Sequence, residues 1–197
     1  MTEYRGHTIF NPLYLFYLES TKRDQWQMPE EVLDALQLSE GSVVADIGAG
    51  GGYFTVKLSR RVGARGRIYA TDVHDVMIRK LEKRVRKQGL ANVKVIHAEF
   101  DDPKLPAGEC DWLFLSSVYN EIGERVGYMK KARKALKSNG RVAIIEYRKD
   151  TDDPGPPQKF RLSEQQVIKE IEAAGFRLSE RFTFLPREYF LVFAPAD

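Results

Sequence analysis

The chain predicts an α/β fold, a three-layer sandwich in which a mostly parallel sheet carries helices on both faces. Three observations predict it. From residue 42 onward, short runs rich in Val, Ile, Leu and aromatics alternate with longer amphipathic segments. The runs themselves alternate little between apolar and polar residues, as strands covered on both faces do. Between them stand glycines and Asn-Gly at helix stops, residues that tolerate the left-handed backbone.

In order, the predicted strands are Ser42–Ile47, Arg67–Asp72, Val93–Ala98, Asp111–Ser116 and Arg141–Tyr147. The crossover helices between them are Tyr53–Arg61, Asp75–Gln88 and Arg125–Lys137; Val76, Ile78, Leu81 and Val85 show the helical spacing. Gly89 and the Asn139-Gly140 pair read as helix stops. Lys149–Pro157, KDTDDPGPP, reads as an irregular loop. Ser163 opens a capping-box pattern with Gln166, and its helix runs to about Ala174 before Gly175. Phe176–Leu185 and Glu188–Ala194 then read as a hairpin across Pro186-Arg187. Before the first strand, helices are expected over Pro12–Glu19 and Pro29–Gln37, with Pro29 at a first helical position. Residues 1–40 thus form a helical cover and 41–197 the main body of a single structural domain.

Composition narrows the function classes. The 197 residues fit one domain. With 31 basic and 28 acidic side chains, the net charge of +3 does not demand a nucleic-acid partner. The single Cys110 excludes an intramolecular disulfide and a cysteine-built zinc site, as expected of a reducing, cytoplasmic protein. MTEYRGHTIFNPLYLFYLES has neither the form of a signal peptide nor that of a membrane span, so no membrane association is expected. His7, His74 and His97 are too scattered for a metal cluster, and no metal is predicted.

The informative stretch is VVADIGAGGGYF, residues 43–54: a strand ending in Asp46, a Gly-rich turn with Gly48 and Gly50, and a helix start. Such a turn lets backbone approach a ligand closely. A nicotinamide fingerprint would need a third glycine where Tyr53 stands. The second strand ends in Asp72, whose carboxylate suits two ribose hydroxyls, and the third is followed by HAEFDD, residues 97–102. All three lie at the carboxyl ends of successive strands, where open α/β sheets bind ligands. Against this stands a plain strand-end capping role for Asp46 and Asp72.

DIGAGGG, then an acid at the next strand end, then an acidic turn, resembles the class I S-adenosylmethionine-dependent methyltransferases. The resemblance covers about residues 29–194 and implies a Rossmann-like, seven-stranded sheet with an antiparallel last strand. It implies S-adenosylmethionine as cofactor and S-adenosylhomocysteine as product. Asp46, Gly48 and Gly50 would lie near the methionyl part, Asp72 on the ribose, Val73 against adenine, Glu99 and Phe100 at the adenine edge, and Ser116 and Ser117 on the methionine side. Trp26–Val32 and Val118–Glu121 are similar to small bacterial or archaeal members acting on small molecules, many of which have His where this chain has Asn120.

If the acceptor carries a proton, Tyr119, Glu121 and Glu146 are the candidates to move it. Tyr119, Asn120 and Glu121 either line an acceptor pocket or cap and pack a helix; Glu146 is open in the same way. Trp26 and Gln27 either close over the cofactor or anchor packing. A small-molecule acceptor is the leading expectation. RNA and a non-catalytic cofactor-binding module are the alternatives. The basic helices from Arg79 and Lys130 read as solvated faces, and S-S-V-Y at 116–119 lacks the N/D-P-P-Y/F run of amino-group base methylation.

Overall fold

The computed structural model describes residues 22–196 and, ahead of them, the backbone of Glu3–Tyr4 and His7–Thr8, which pair as a short antiparallel ladder. The helix predicted over Pro12–Glu19 lies outside the described residues. Among the described residues, helix α1, Asp24–Gln27, and α2, Pro29–Ala35, come next, with Pro29 in the first turn of α2. Helix α2 ends before the predicted Gln37, which adopts a left-handed φ of 50°. The junction between the two helices is Met28, also left-handed at φ 39°.

Then follow β1 (Val43–Ile47), α3 (Tyr53–Val62), β2 (Arg67–Asp72), α4 (Asp75–Lys87), β3 (Val93–His97) and β4 (Cys110–Ser116). A 3₁₀ turn, Tyr119–Glu121, leads to α5 (Arg125–Arg133) and β5 (Leu136–Tyr147). Helix α6 (Glu164–Ala173) and the hairpin β6 (Phe176–Phe182) and β7 (Glu188–Pro195) complete the chain. The sheet order is β3-β2-β1-β4-β5-β7-β6. β1 to β5 pair in parallel, and β7 slots in antiparallel between β5 and β6. The seven-stranded, mostly parallel sheet with its antiparallel last strand is therefore the architecture expected.

Both faces are covered, which explains the unbroken apolar runs. On one face Ala45, Leu113, Leu115, Val142 and Ile144 pack with Met129 and Ala132 of α5 and Val167 and Ile171 of α6. On the other, Val44, Phe114, Ala143 and Ile145 meet Val32, Leu33 and Leu36 of α2 and Phe54, Leu58 and Val62 of α3. Helix α2 is thus part of the core.

Several boundaries differ from expectation. The helix predicted to Lys137 stops at Arg133, because the chain is drawn into the sheet: Cys110 N–H donates to Ala135 O at 2.8 Å and Cys110 pairs with Leu136. Asn139-Gly140 therefore lies inside β5, at a register shift, and not at a helix stop. A Cβ at Gly140 would approach the Cys110 carbonyl to 2.9 Å. The hairpin's first strand ends at Phe182 and not at Leu185, because Phe182 and Phe184 turn onto Phe190. At α6, Ser163 Oγ accepts the Gln166 N–H at 3.3 Å, but the Gln166 side chain reaches Glu170, so half the capping box forms.

The polar loop after β5 is irregular but held. The buried Arg161 guanidinium donates to the carbonyls of Arg148, Thr151, Asp153 and Pro156 at 2.6–3.0 Å.

Candidate active site

The parallel strands deliver their carboxyl ends to one edge, and the predicted residues gather there. Gly48 sits at φ 69° beneath Val118, into which a Cβ would run, so the loop after β1 passes tightly under the chain leaving β4. Ala49 N–H donates to Thr71 O at 2.9 Å, and Gly50 N–H donates to Asp72 Oδ2 at 2.9 Å. The other Asp72 oxygen accepts the His74 N–H at 2.9 Å. One buried carboxyl thus ties the Gly-rich loop to the end of β2 and keeps lone pairs for further donors. Burial holds its pKa above the usual carboxylate range, against the pull of these N–H groups.

Asp46 is also buried, and its Oδ2 accepts from Thr55 Oγ1 of α3 at 2.5 Å. Burial pushes its carboxyl up to about 6. Beyond Asp72, Val73 is half-buried, and the Phe100 ring stands edge-on to His74, centroids 6.0 Å apart. Glu99 differs: its side chain is exposed and pairs with Lys104 at 2.9 Å, so its carboxylate is engaged at the surface. These groups match a nucleoside carrying a positively charged tail: a carboxylate for hydroxyl donors, apolar walls for a flat ring, and buried carboxyls for cationic charge.

At the end of β4, Ser116 and Ser117 are half-buried, and Ser117 takes a left-handed φ of 56°. That turn carries Ser117 Oγ to Glu188 Oε1 at 3.1 Å. Gln27 of α1 donates to the same oxygen at 2.8 Å and lies 3.4 Å from both serine hydroxyls. Arg23 in turn donates from Nε to Gln27 Oε1 at 2.8 Å and stacks over Tyr53, 3.9 Å from the ring centroid. Trp26 is buried beside Arg187, whose guanidinium lies 5.1 Å from the ring centroid.

The three proton-transfer candidates part company. Tyr119 is fully buried, its hydroxyl donates to Glu170 at 3.1 Å, and Arg125 grips the same carboxylate, so it faces α6 and is not brought into the crevice. Burial, with the Glu170 charge, raises its pKa. Glu146 is buried and accepts the Asn120 N–H at 3.3 Å; the N–H groups of Tyr119 and Val118 also favour its charged form. Burial nevertheless pushes it up to about 8. Glu121 follows on the same 3₁₀ turn with an exposed side chain; desolvation, then Glu146 and Asp72, push it up to about 8.

Sequence reasoning missed Glu188 and Arg23. The signal for Glu188 was a lone acid opening the otherwise apolar strand EYFLVFAP. Cys110 is buried at the opposite end of β4, its thiol pushed up to about 12, away from these groups.

A family model described as a methyltransferase domain matches residues 38–180. A demethylmenaquinone methyltransferase of Geobacillus sp. is 23% identical over 150 residues, 73% of this chain and 63% of that protein. A ubiquinone/menaquinone biosynthesis C-methyltransferase of Citrobacter koseri is 27% identical over 123 residues, 62% of this chain and 49% of that protein. The chain spans less than two thirds of the length of these curated relatives. Among solved structures, a SAM dependent methyltransferase from Aquifex aeolicus superposes with a TM-score of 0.90 at 30% identity, covering 95% of this chain and 100% of its own. The [4+2]-cyclase SpnF shares the fold at a TM-score of 0.73 and 15% identity, over 90% of this chain and 86% of its own.

Proposed function

Because the chain belongs to the S-adenosylmethionine-dependent methyltransferases of the class I fold, we propose that it transfers the methyl group to a small-molecule acceptor in the crevice above β1, β2 and β4. The observation that carries this is the Asp72 carboxyl, locked by Gly50 and His74 at the carboxyl end of β2. Asp72 accepts from the ribose hydroxyls, Val73 and Phe100 flank the adenine, and the loop at Gly48 and Gly50 runs beneath the methionyl part with Asp46, Ser116 and Ser117. Glu99 contributes its backbone at the adenine edge, its carboxylate being held by Lys104.

S-adenosylmethionine, when bound, supplies an electrophilic methyl carbon on a sulfonium, and the transfer is an in-line displacement. The protein's task is to align the acceptor and exclude water. Glu121 faces the crevice and takes the acceptor's proton where there is one. Glu146 is a positioning residue: it holds the N–H groups that follow β4 and so fixes the turn bearing Glu121. Tyr119 braces that turn from behind. Helix α1 acts as a cover, closing over the β4 end through Gln27. The names of the curated relatives, a demethylmenaquinone methyltransferase and a ubiquinone/menaquinone biosynthesis C-methyltransferase, support a small-molecule acceptor. The single buried Cys110 supports a cytoplasmic setting.

RNA as acceptor is a second reading, favoured by the exposed cations Arg79, Lys83, Arg86 and Lys87 on α4. It requires a steep loss of activity with salt.

The deciding experiment is titration calorimetry with S-adenosylmethionine and S-adenosylhomocysteine on the wild type and Asp72→Ala. Saturable binding lost in the variant supports the cofactor site and directs an acceptor screen with labelled methyl. No binding to the wild type refutes the proposal; because the same fold also serves a cyclase, the screen must show transfer itself.

A further inference from the structure

Glu188 opens β7 opposite Tyr147, at the carboxyl end of β5, and so reaches the edge of the sheet where the crevice lies. Its side chain is fully buried. One oxygen is used twice, by Gln27 at 2.8 Å and Ser117 at 3.1 Å. The other, Oε2, is buried and has no hydrogen-bond donor among the described residues. No ion pair to the group is formed among the described residues; Arg23 and Arg187 favour its charge through space. An unmatched oxygen on a buried carboxyl is costly, and a chain that keeps one needs a donor to meet it.

The order of strands says which donor. Asp72 fixes the ribose at β2, and Val73 and Phe100 place the ring toward β3. The remaining end of the cofactor must therefore run across β1 toward β4, whose Ser117 hydroxyl contacts Glu188. That end carries two positive centres, the sulfonium and the amino-acid ammonium.

We propose that Glu188, presented by Gln27 and Ser117, binds the cationic methionine end of the cofactor and is a specificity residue for it. This rests on S-adenosylmethionine being the methyl donor. The carboxyl faces Gln27 and Arg23 from the α1 segment, Tyr53 from α3, Ser117 from β4, Glu146 from β5 and Arg187 beside it on its own hairpin. Only Oε2 is left to receive a cation.

The test is titration calorimetry at about pH 8.5, where a carboxyl pushed up to about 7 is charged. Wild type, Glu188→Gln and Glu188→Asp are compared against S-adenosylmethionine, S-adenosylhomocysteine and 5′-methylthioadenosine. The last keeps the nucleoside and lacks both cations. Gln preserves the acceptor for Gln27 and Ser117 while removing the charge, and Asp restores the charge. We expect Glu188→Gln to weaken both amino-acid-bearing ligands by about tenfold or more while methylthioadenosine is unchanged, with partial recovery in Glu188→Asp. That pattern identifies the ammonium; weakening of S-adenosylmethionine alone identifies the sulfonium, and either supports the assignment. Equal weakening of all three ligands, or no change in any, overturns it. A wild type that binds methylthioadenosine but neither of the others also overturns it, whereas one that binds none of the three refutes the methyltransferase reading itself.

Discussion

Glu121, Glu146 and Tyr119 stand within one short stretch of space, yet the structure gives them different work. Of the three, only Glu121 has an exposed side chain, and desolvation, then Glu146 and Asp72, push its carboxyl up to about 8. A base of that kind is active once ionised, so the rate with a proton-bearing acceptor should rise as pH passes about 8 and level above it. Glu121→Gln should abolish the rise and lower turnover by roughly 10²–10⁴-fold, as a pH–rate profile would show. Tyr119→Phe should cost about 1 kcal/mol of stability, the worth of its bond to Glu170, and leave turnover near wild type. Their places after the fourth predicted strand and at the end of the fifth put all three on the short list. Placement in the sequence could not separate them, because which side chain is tied to α6 and which is left exposed is set by contacts with distant elements. Glu188 was invisible for a related reason: its significance comes from Gln27 and Ser117, which are 161 and 71 residues away.

Among the elements, those set by local pattern were legible and those set by distant pairing were not. β2 begins and ends where its apolar run does, and α4 loses only its last predicted residue. The end of α5 was not legible, since Leu136 leaves the helix to pair with Cys110. Helix α2 was expected as part of a cover, but its fully buried Leu33 joins the core beneath the sheet. Leu33→Ala should therefore destabilise the protein by about 2–5 kcal/mol in denaturant unfolding, as a core truncation does. Helix α4 shows the converse. Arg79, Lys83, Arg86 and Lys87 are exposed and none forms an ion pair among the described residues. Replacing Lys83 and Lys87 by Gln should change stability by less than about 0.5 kcal/mol. If binding of the protein to RNA is equally unaffected, the RNA reading loses its support.

The molecule as a whole carries an unusual acid load in its interior. Asp46, Glu188 and Glu146 are buried, with carboxyls pushed up to about 6, 7 and 8. Each binds its proton more tightly folded than unfolded. Their contributions are fully present below the unfolded values near 4 and are lost as pH rises through 6 to 8. The Glu170–Arg125 pair acts in the other sense: the Glu170 carboxyl is held below its ordinary range, so its contribution fades as pH falls. Melting temperature should thus peak in mildly acidic solution and fall by several degrees toward about pH 9. Glu146→Gln should flatten the alkaline side; an unchanged slope would show that Glu146 is not the group responsible.

The loop after β5 reads as a linker, with prolines, glycine and four charges in nine residues. Yet a single buried guanidinium grips four of its neighbouring carbonyls. Proteolytic nicking concentrates at exposed, slack loop tips, and these four bonds leave this segment little slack. Trypsin should therefore spare the bond after the exposed Lys149 in the native protein and nick it first in Arg161→Ala, turning a permissive-looking junction into a cleavage site.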